Sequence, residues 1–320
     1  MSIWIHLLLF AIGIALIVKG GDFFVDSASW IAEVSGIPKF IVGATIVSVA
    51  TTMPEMIVSI MAAAEGKYDM AVGNAVGSVT ANTGIILSVA ILFMTIAIPR
   101  KKYLVKGLLL IGAIIMVWVG SLGSEPRHFS MIASIVLFII FAVYVCENIK
   151  SAKADRSTEE KPSFTKKDVV IKIVFFVLGA VMLVIGSDLL VDHGSAIATA
   201  IGIPEAIIAI TMVAIGTSLP ELVTTITAIV KKQSGLSAGN IIGANVIDLS
   251  LILPLSSIVS GGRLEISKQG YMLDMPACLA IVAVAIIPTL FTEKFKKWQG
   301  ALMLCMYAGY LAIAMTCFTV

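Results

Sequence analysis

Apolar residues in this chain run in blocks far longer than a soluble core needs. Such stretches, bounded by charged or turn-forming residues, fall near 3–31, 40–64, 70–98, 103–122, 129–146, 169–200, 206–230, 234–260, 271–290 and 298–319. About 20 helical residues cross a bilayer core of about 30 Å. The pattern therefore predicts ten transmembrane helices. The first and sixth stretches are longer and carry charges in their second halves: Lys19, Asp22 and Asp26 in one, Asp188 and Asp192 in the other. Composition sharpens the reading, with 59% hydrophobic and 13% charged residues, where a soluble domain has about 25% charged. That excludes a soluble enzyme and a disordered chain, and makes the lipid bilayer the principal partner. A net charge of +2 offers nothing to a nucleic acid. The N-terminus has neither the basic start nor the cleavage site of a signal peptide.

Charge placement sets the expected orientation. With the N-terminus outside, the inner connections hold Lys39; Arg100, Lys101, Lys102 and Lys106; seven residues from Lys150 to Lys172; Lys231 and Lys232; and Lys294, Lys296 and Lys297. The outer connections hold Lys67, Arg127, Arg263 and Lys268. Seventeen against four is a strong positive-inside bias. Both termini are expected outside a plasma (inner) membrane, with the polar linker 150–168 in the cytoplasm.

The chain also repeats itself. Residues 21–87 align without a gap to residues 166 positions later, with 22 identities in 67 positions. Shared Leu or Val would mean little, but Asp22/Asp188, Pro38/Pro204, Pro54-Glu55/Pro220-Glu221 and Gly73-Asn74/Gly239-Asn240 also coincide. Two halves are expected, 1–149 and 169–320, with core repeats near 40–98 and 206–260. Five spans per half is an odd number, so the second half enters the membrane upside down. Inverted repeats of this kind underlie many secondary transporters.

Within the repeats, Glu55 is the lone charge of 40–64 and Glu221 the lone charge of 206–230, each sixteenth of 25 residues. A carboxylate near mid-membrane costs about 2.5–3.5 kcal/mol on insertion scales and marks a functional site by default. The preceding Pro54 or Pro220 removes a helical N–H and clashes with the carbonyl four residues back, that of Ala50 or Gly216. Helices 2 and 7 are therefore expected to open beside Thr51-Thr52 and Thr217-Ser218, freeing carbonyls into a cavity. A single such motif also reads as a proline kink with a satisfied Glu; two in register argue against that.

The second pair of segments runs from Gly73 to Asn82 and from Gly239 to Asp248. Their Gly-x-x-x-Gly spacing is explained by close helix packing. Packing does not account for Ser78, or for Asn82 and Asp248, which are repeat partners. Helices 3 and 8 are expected to be discontinuous here as well. The ensemble holds carboxylates, hydroxyls, amides and carbonyls with no Cys or His, and oxygen ligands in flexible coordination suit Ca2+ better than Mg2+. Cys146, Cys278, Cys305 and Cys317 are scattered and read as small apolar residues. Asp22, Asp26, Asp188 and Asp192 read as structural groups, and His6, His128 and His193 receive no role.

These motifs resemble those of the calcium/cation antiporter superfamily, in particular prokaryotic sodium/calcium exchangers. Gly216-Thr217-Ser218-Leu219-Pro220-Glu221 matches that family's first motif fully. The resemblance implies that Glu55 and Glu221, with the carbonyls of Thr51 and Thr217, bind Ca2+. It further implies that Ser48, Thr52, Ser78, Asn82, Ala214, Ser218 and Asp248, together with both Glu residues, line sites for Na+ or another coupling ion. This chain departs from the family pattern at Ala50, Thr52, Met53, Val79 and Ala244; the last deletes a hydroxyl.

The expectation is an all-α membrane protein of ten helices in two inverted repeats. It would work as a monomeric, cofactor-free antiporter of Ca2+ and Na+ rather than an enzyme. Exchange follows from charge: an empty site with unneutralised carboxylates passes poorly through a dry, occluded state. A proton-coupled antiporter is one alternative, because close carboxylates can share a proton. A potassium-dependent antiporter and a cation channel are the others.

Overall fold

The computed structural model describes residues 2–123, 127–154, 164–201, 216 and 218–317. Its helices are α1 (Ile3–Ser35), α2 (Lys39–Thr51), α3 (Met53–Ala64), α4 (Tyr68–Phe93), α5 (Arg100–Val119), α6 (Met131–Ala154), α7 (Lys166–Ala200), α8 (Leu219–Val230), α9 (Ser234–Val259), α10 (Gly270–Thr292) and α11 (Lys297–Cys317). Among the described residues, seven helices are long and apolar enough to cross a membrane, and eight if α2 and α3 count as one bent span. The protein is thus an all-helical membrane protein. The apolar part of α5 and the whole of α8 are shorter, and the predicted stretch 206–215 ahead of α8 lies outside the described residues.

Burial explains which helices carry polar residues. The most apolar windows of α1, α7 and α11 are only 17% buried, so these helices present apolar side chains outward, as lipid contact demands. The windows of α4 and α9 are 72% and 83% buried. Enclosed by protein, they tolerate Asn, Ser and Asp that lipid would penalise.

Helices α1 and α7 run antiparallel in close contact. A Cβ built on Gly20 would come 3.0 Å from the Gly179 carbonyl oxygen, and one on Gly13 3.1 Å from that of Gly186. Further along, Phe24 stacks on Phe176 at 4.5 Å between ring centroids. Helix α9 crosses α2 as tightly. Gly239 faces the Phe40 carbonyl, Gly43 faces the Leu236 carbonyl, and a Cβ on Gly243 would lie 2.7 Å from the Ser48 Cβ. Packing thus accounts for Gly239 and Gly243. Their repeat partners Gly73 and Gly77 have no described atom within 4 Å of a built Cβ. The repeat partners of Phe40 and Ala44 are Ala206 and Ile210, outside the described residues.

Loop pairings join connections expected on one side. Arg127–His128 (β1) pairs antiparallel with Glu265–Ile266 (β2), linking the connection after α5 to that after α9. The Ile98 N–H donates to the Glu293 carbonyl at 2.9 Å and the Phe295 N–H to the Ile96 carbonyl at 2.9 Å. These bonds join the connections before α5 and before α11.

Two expectations change. Helices α4 and α9 are unbroken rather than discontinuous. Each instead widens into a π-helical turn, at Asn82–Leu87 and Asp248–Ile252. Such turns insert one residue without ending the helix, and α9 stays continuous through Pro254, two residues past its π turn. Lys106, counted above with the inner connections, is a wholly buried side chain. Its Nζ lies 3.9 Å from Glu147 Oε1 and 5.7 Å from the Phe40 ring centroid. Its long apolar stem lets α5 and α6 enclose it.

A candidate cation site at the helix breaks

Proline acts where the sequence places it. Helix α2 ends at Thr51, α3 starts at Met53, and their axes differ by 46°. Thr52 at the break has φ −85° and ψ 0°. Ser218, its repeat partner, has φ −85° and ψ 7° immediately before α8. Helices α3 and α8 therefore start from the same backbone conformation, two residues before a proline. Glu55 and Glu221 each sit third in the helix that follows. There the unpaired N–H groups and the positive end of the helix dipole favour a carboxylate.

Three acids are buried inside the protein. Glu55 is 1% exposed, Glu221 0% and Asp248 0%. Glu221 and Asp248 lie within electrostatic reach of Glu55. Ser48, Thr51, Thr52, Ser78, Asn82 and Ser218 are buried as well. Thr217 and Ala214 lie outside the described residues.

Hydrogen bonds tie the halves together across this point. Thr51 Oγ1 donates to Asn240 Oδ1 at 3.2 Å. Thr52 Oγ1 lies 2.6 Å from the Ser48 carbonyl and 3.4 Å from Glu221 Oε1. A hydroxyl has one proton, and the shorter contact takes it, so Glu221 gains little. Within the first half, Asn74 Nδ2 donates to the Glu55 carbonyl at 3.2 Å and to Ser59 Oγ at 2.9 Å. Asn245 Nδ2 donates to Thr83 Oγ1 at 2.8 Å. Asn74, Asn240 and Asn245 are not among the site residues that the motifs single out. Two of them carry a sequence signal, since Asn74 and Asn240 are identical repeat partners.

Five carboxylate oxygens remain buried without a donor among the described residues: both of Glu55, both of Asp248, and Oε2 of Glu221. Asn82 Oδ1, Asn245 Oδ1 and Ser218 Oγ share that condition. Buried polar groups ordinarily find partners, and a buried charge without one costs several kcal/mol. Of these eight atoms, all but the Ser218 hydroxyl act only as acceptors when the carboxylates are ionised, which is the chemistry of a cation site. The orphaned Asn240 Nδ2 beside Thr51, by contrast, is a donor. Among the described residues, no three Asp, Glu, His or Cys gather as a metal-holding group. The acids by themselves therefore make no complete coordination shell.

Comparison with known proteins gives a consistent picture. The sequence profile of the family described as "Sodium/calcium exchanger protein" matches residues 5–150 and 171–316. An uncharacterized membrane protein of Methanocaldococcus jannaschii is 30% identical over 304 residues, covering 93% of this chain and 94% of its own. The sodium/calcium exchanger MaX1 of Methanosarcina acetivorans is 26% identical over 354 residues, covering 97% and 99%. A structure of the sodium-calcium exchanger NCX_Mj soaked with Na+ and Sr2+ superposes with a TM-score of 0.82 at 28% identity, over 97% of this chain and 99% of that one. With a helix broken at the first proline–glutamate motif, a helix starting at the second and both halves matched by the profile, the chain belongs to the sodium/calcium exchanger protein family.

Proposed function

We propose that this protein is a secondary antiporter that exchanges Ca2+ for Na+ by alternating access, with its ions carried at the helix breaks. The observation that carries the reading is the set of buried carboxylate oxygens without a donor: both of Glu55, both of Asp248 and Oε2 of Glu221. Emptied, it holds unneutralised charge in a protein interior. One Ca2+ or several Na+ offsets that charge, so the loaded forms cross the occluded state and the empty one does not. Exchange is then obligatory, which separates this reading from a channel.

In this reading Glu55 and Glu221, with the Thr51 and Thr217 carbonyls, hold Ca2+. Ser48, Thr52, Ser78, Asn82, Ala214, Ser218 and Asp248 complete the places for Na+. The remaining oxygens come from hydroxyls, amides and carbonyls, as flexible Ca2+ coordination allows. The chain spans the membrane ten times as a monomer. Its inverted halves, 1–149 and 169–320, are joined by a cytoplasmic linker at 150–168, and both termini lie outside. The loop pairings support this topology, because each joins connections assigned to one side.

Radioactive Ca2+ uptake into proteoliposomes tests the reading. An outward Na+ gradient should drive accumulation, and equal K+ on both sides should neither support nor block it. Uptake that ignores the Na+ gradient and follows an imposed pH gradient would transfer the reading to proton-coupled exchange. Flux without any counter-ion would make it a channel.

A further inference from the structure

His6 and His193 were assigned no role, and they meet in the fold. Their Nδ1 atoms lie 3.0 Å apart across the α1–α7 seam, with ring centroids 5.1 Å apart and planes at 63°. The pair is not an accident of a frayed end. It continues a register in which Gly13 faces Gly186 and Gly20 faces Gly179, each step being seven residues on both helices. The two glycine contacts fix the distance between the helices, and the next step along the seam places imidazole against imidazole.

Two neutral rings in this arrangement share one hydrogen bond, with one Nδ1 protonated and the other accepting. The same geometry suits a metal ion. Imidazole nitrogens bind first-row metals at about 2.0–2.1 Å. Two such bonds spanning 3.0 Å meet at roughly 91–97°, the angle between neighbouring ligands of a tetragonal or octahedral ion rather than a tetrahedral one. Imidazole donors in tetragonal geometry favour Cu2+ and Ni2+. Both rings would then carry their proton on Nε2, and no net proton leaves. The pair is part-buried, and among the described residues no third His, Cys, Asp or Glu completes a metal-holding group. Water would fill the other positions.

We propose that His6 and His193 form a two-imidazole site for one divalent transition-metal ion of the Cu2+ or Ni2+ class, which clamps the ends of α1 and α7. The site is separate from the oxygen-lined site at the helix breaks and needs none of the transport reading.

Titrating Cu2+ into the full-length, detergent-solubilised protein, purified without a histidine tag, tests this. The wild type should bind one Cu2+ per chain, with an electron paramagnetic resonance spectrum showing nitrogen ligation. His6→Gln and His193→Gln should each weaken binding on the order of tenfold or more, since losing even a supporting partner of a metal ligand costs about 10–100-fold. His128→Gln, in the β1–β2 ribbon, and Glu221→Gln, at the helix breaks, should leave it unchanged. Cu2+ should also raise the melting temperature of the wild type and of neither seam variant. Absence of saturable binding by the wild type overturns the proposal, as does undiminished affinity in the seam variants. Either seam variant decides the matter if the other does not fold.

Discussion

Glu55 and Glu221 face opposing demands: the helix start stabilises each carboxylate, while burial without donors destabilises it. Glu55→Gln and Glu221→Gln keep shape and remove charge. Calcium affinity rises with ligand charge, so exchange should fall by at least about 100-fold, the upper end for loss of a mere supporting partner. In cation-free buffer the same variants should melt no lower than the wild type, because an uncompensated buried charge has gone. Wild-type uptake in both would place the site elsewhere. Ala244, the wholly buried repeat partner of Ser78, bears on the coupling ion. Ala244→Ser restores a hydroxyl and should lower the Na+ concentration for half-maximal exchange while leaving Ca2+ affinity almost unchanged. Unaltered Na+ dependence would remove this position from the ligand set.

At the scale of elements, two contacts hold neighbouring helices in register. The α2–α9 crossing depends on glycine: a methyl on Gly239 runs into the Phe40 carbonyl, whereas none of the described atoms lies within 4 Å of one on Gly112. Overpacking costs about 1–3 kcal/mol, so Gly239→Ala should lower the melting temperature. Gly112→Ala in α5 should hold or raise it, and equal shifts would deny the crossing its role. The second contact is ionic. Lys231 Nζ lies 2.7 Å from Asp26 Oδ1 and 3.0 Å from Asp22 Oδ1, fastening α1 to the end of α8. Partial burial pulls the Lys231 ammonium toward lower pKa, and the hydrogen bonds it donates to Asp26 and Asp22, with their negative charges, outweigh this and leave it above the ordinary lysine value. The sign follows: this contribution is complete below the ordinary lysine value and is lost only as pH rises through the raised one. The triad therefore persists at neutral pH. Its side chains are 23%, 41% and 57% exposed, so solvent screens them and each pair is worth about 1 kcal/mol or less. Lys231→Gln should shift the melting temperature by only a few degrees between pH 6 and 8, as read by a thermal scan. A collapse of folding would show that the triad does more than tether.

For the whole molecule, the bias of Lys and Arg toward one set of loops predicts which face of the membrane each loop occupies. Thr158→Cys, in a background lacking Cys146, Cys278, Cys305 and Cys317, should resist impermeant maleimide in intact cells and react in inverted vesicles. Arg127→Cys and Arg263→Cys should do the reverse. Labelling of position 158 from outside would invert the topology. Cys278 is buried and the other three cysteines are exposed, so Cys278→Ala is the background change to check first for stability.

Much of this was legible in the residues, for identifiable reasons. Bilayer thickness dictates apolar run length, so the helices stand out without tertiary information. Proline acts within its own turn, so the break at Thr52 was foreseeable, and so was a carboxylate beside it. The repeat likewise marked Ser218 as the partner of Thr52, and the two share a backbone conformation. What depends on distant partners was not legible. The pattern contained Asn74 and Asn240 but not that one would bind the Glu55 carbonyl and the other the Thr51 hydroxyl across the two halves. Glycine spacing suggested close packing but not that α9 would clasp α2. Lys106 read as a loop charge until α5 and α6 enclosed it. His6 and His193 stand 187 residues apart, and no local rule joins them. Helix existence is set by backbone chemistry and solvent along one segment, whereas contacts between segments are set by which surfaces exclude lipid together, and only the folded protein decides that.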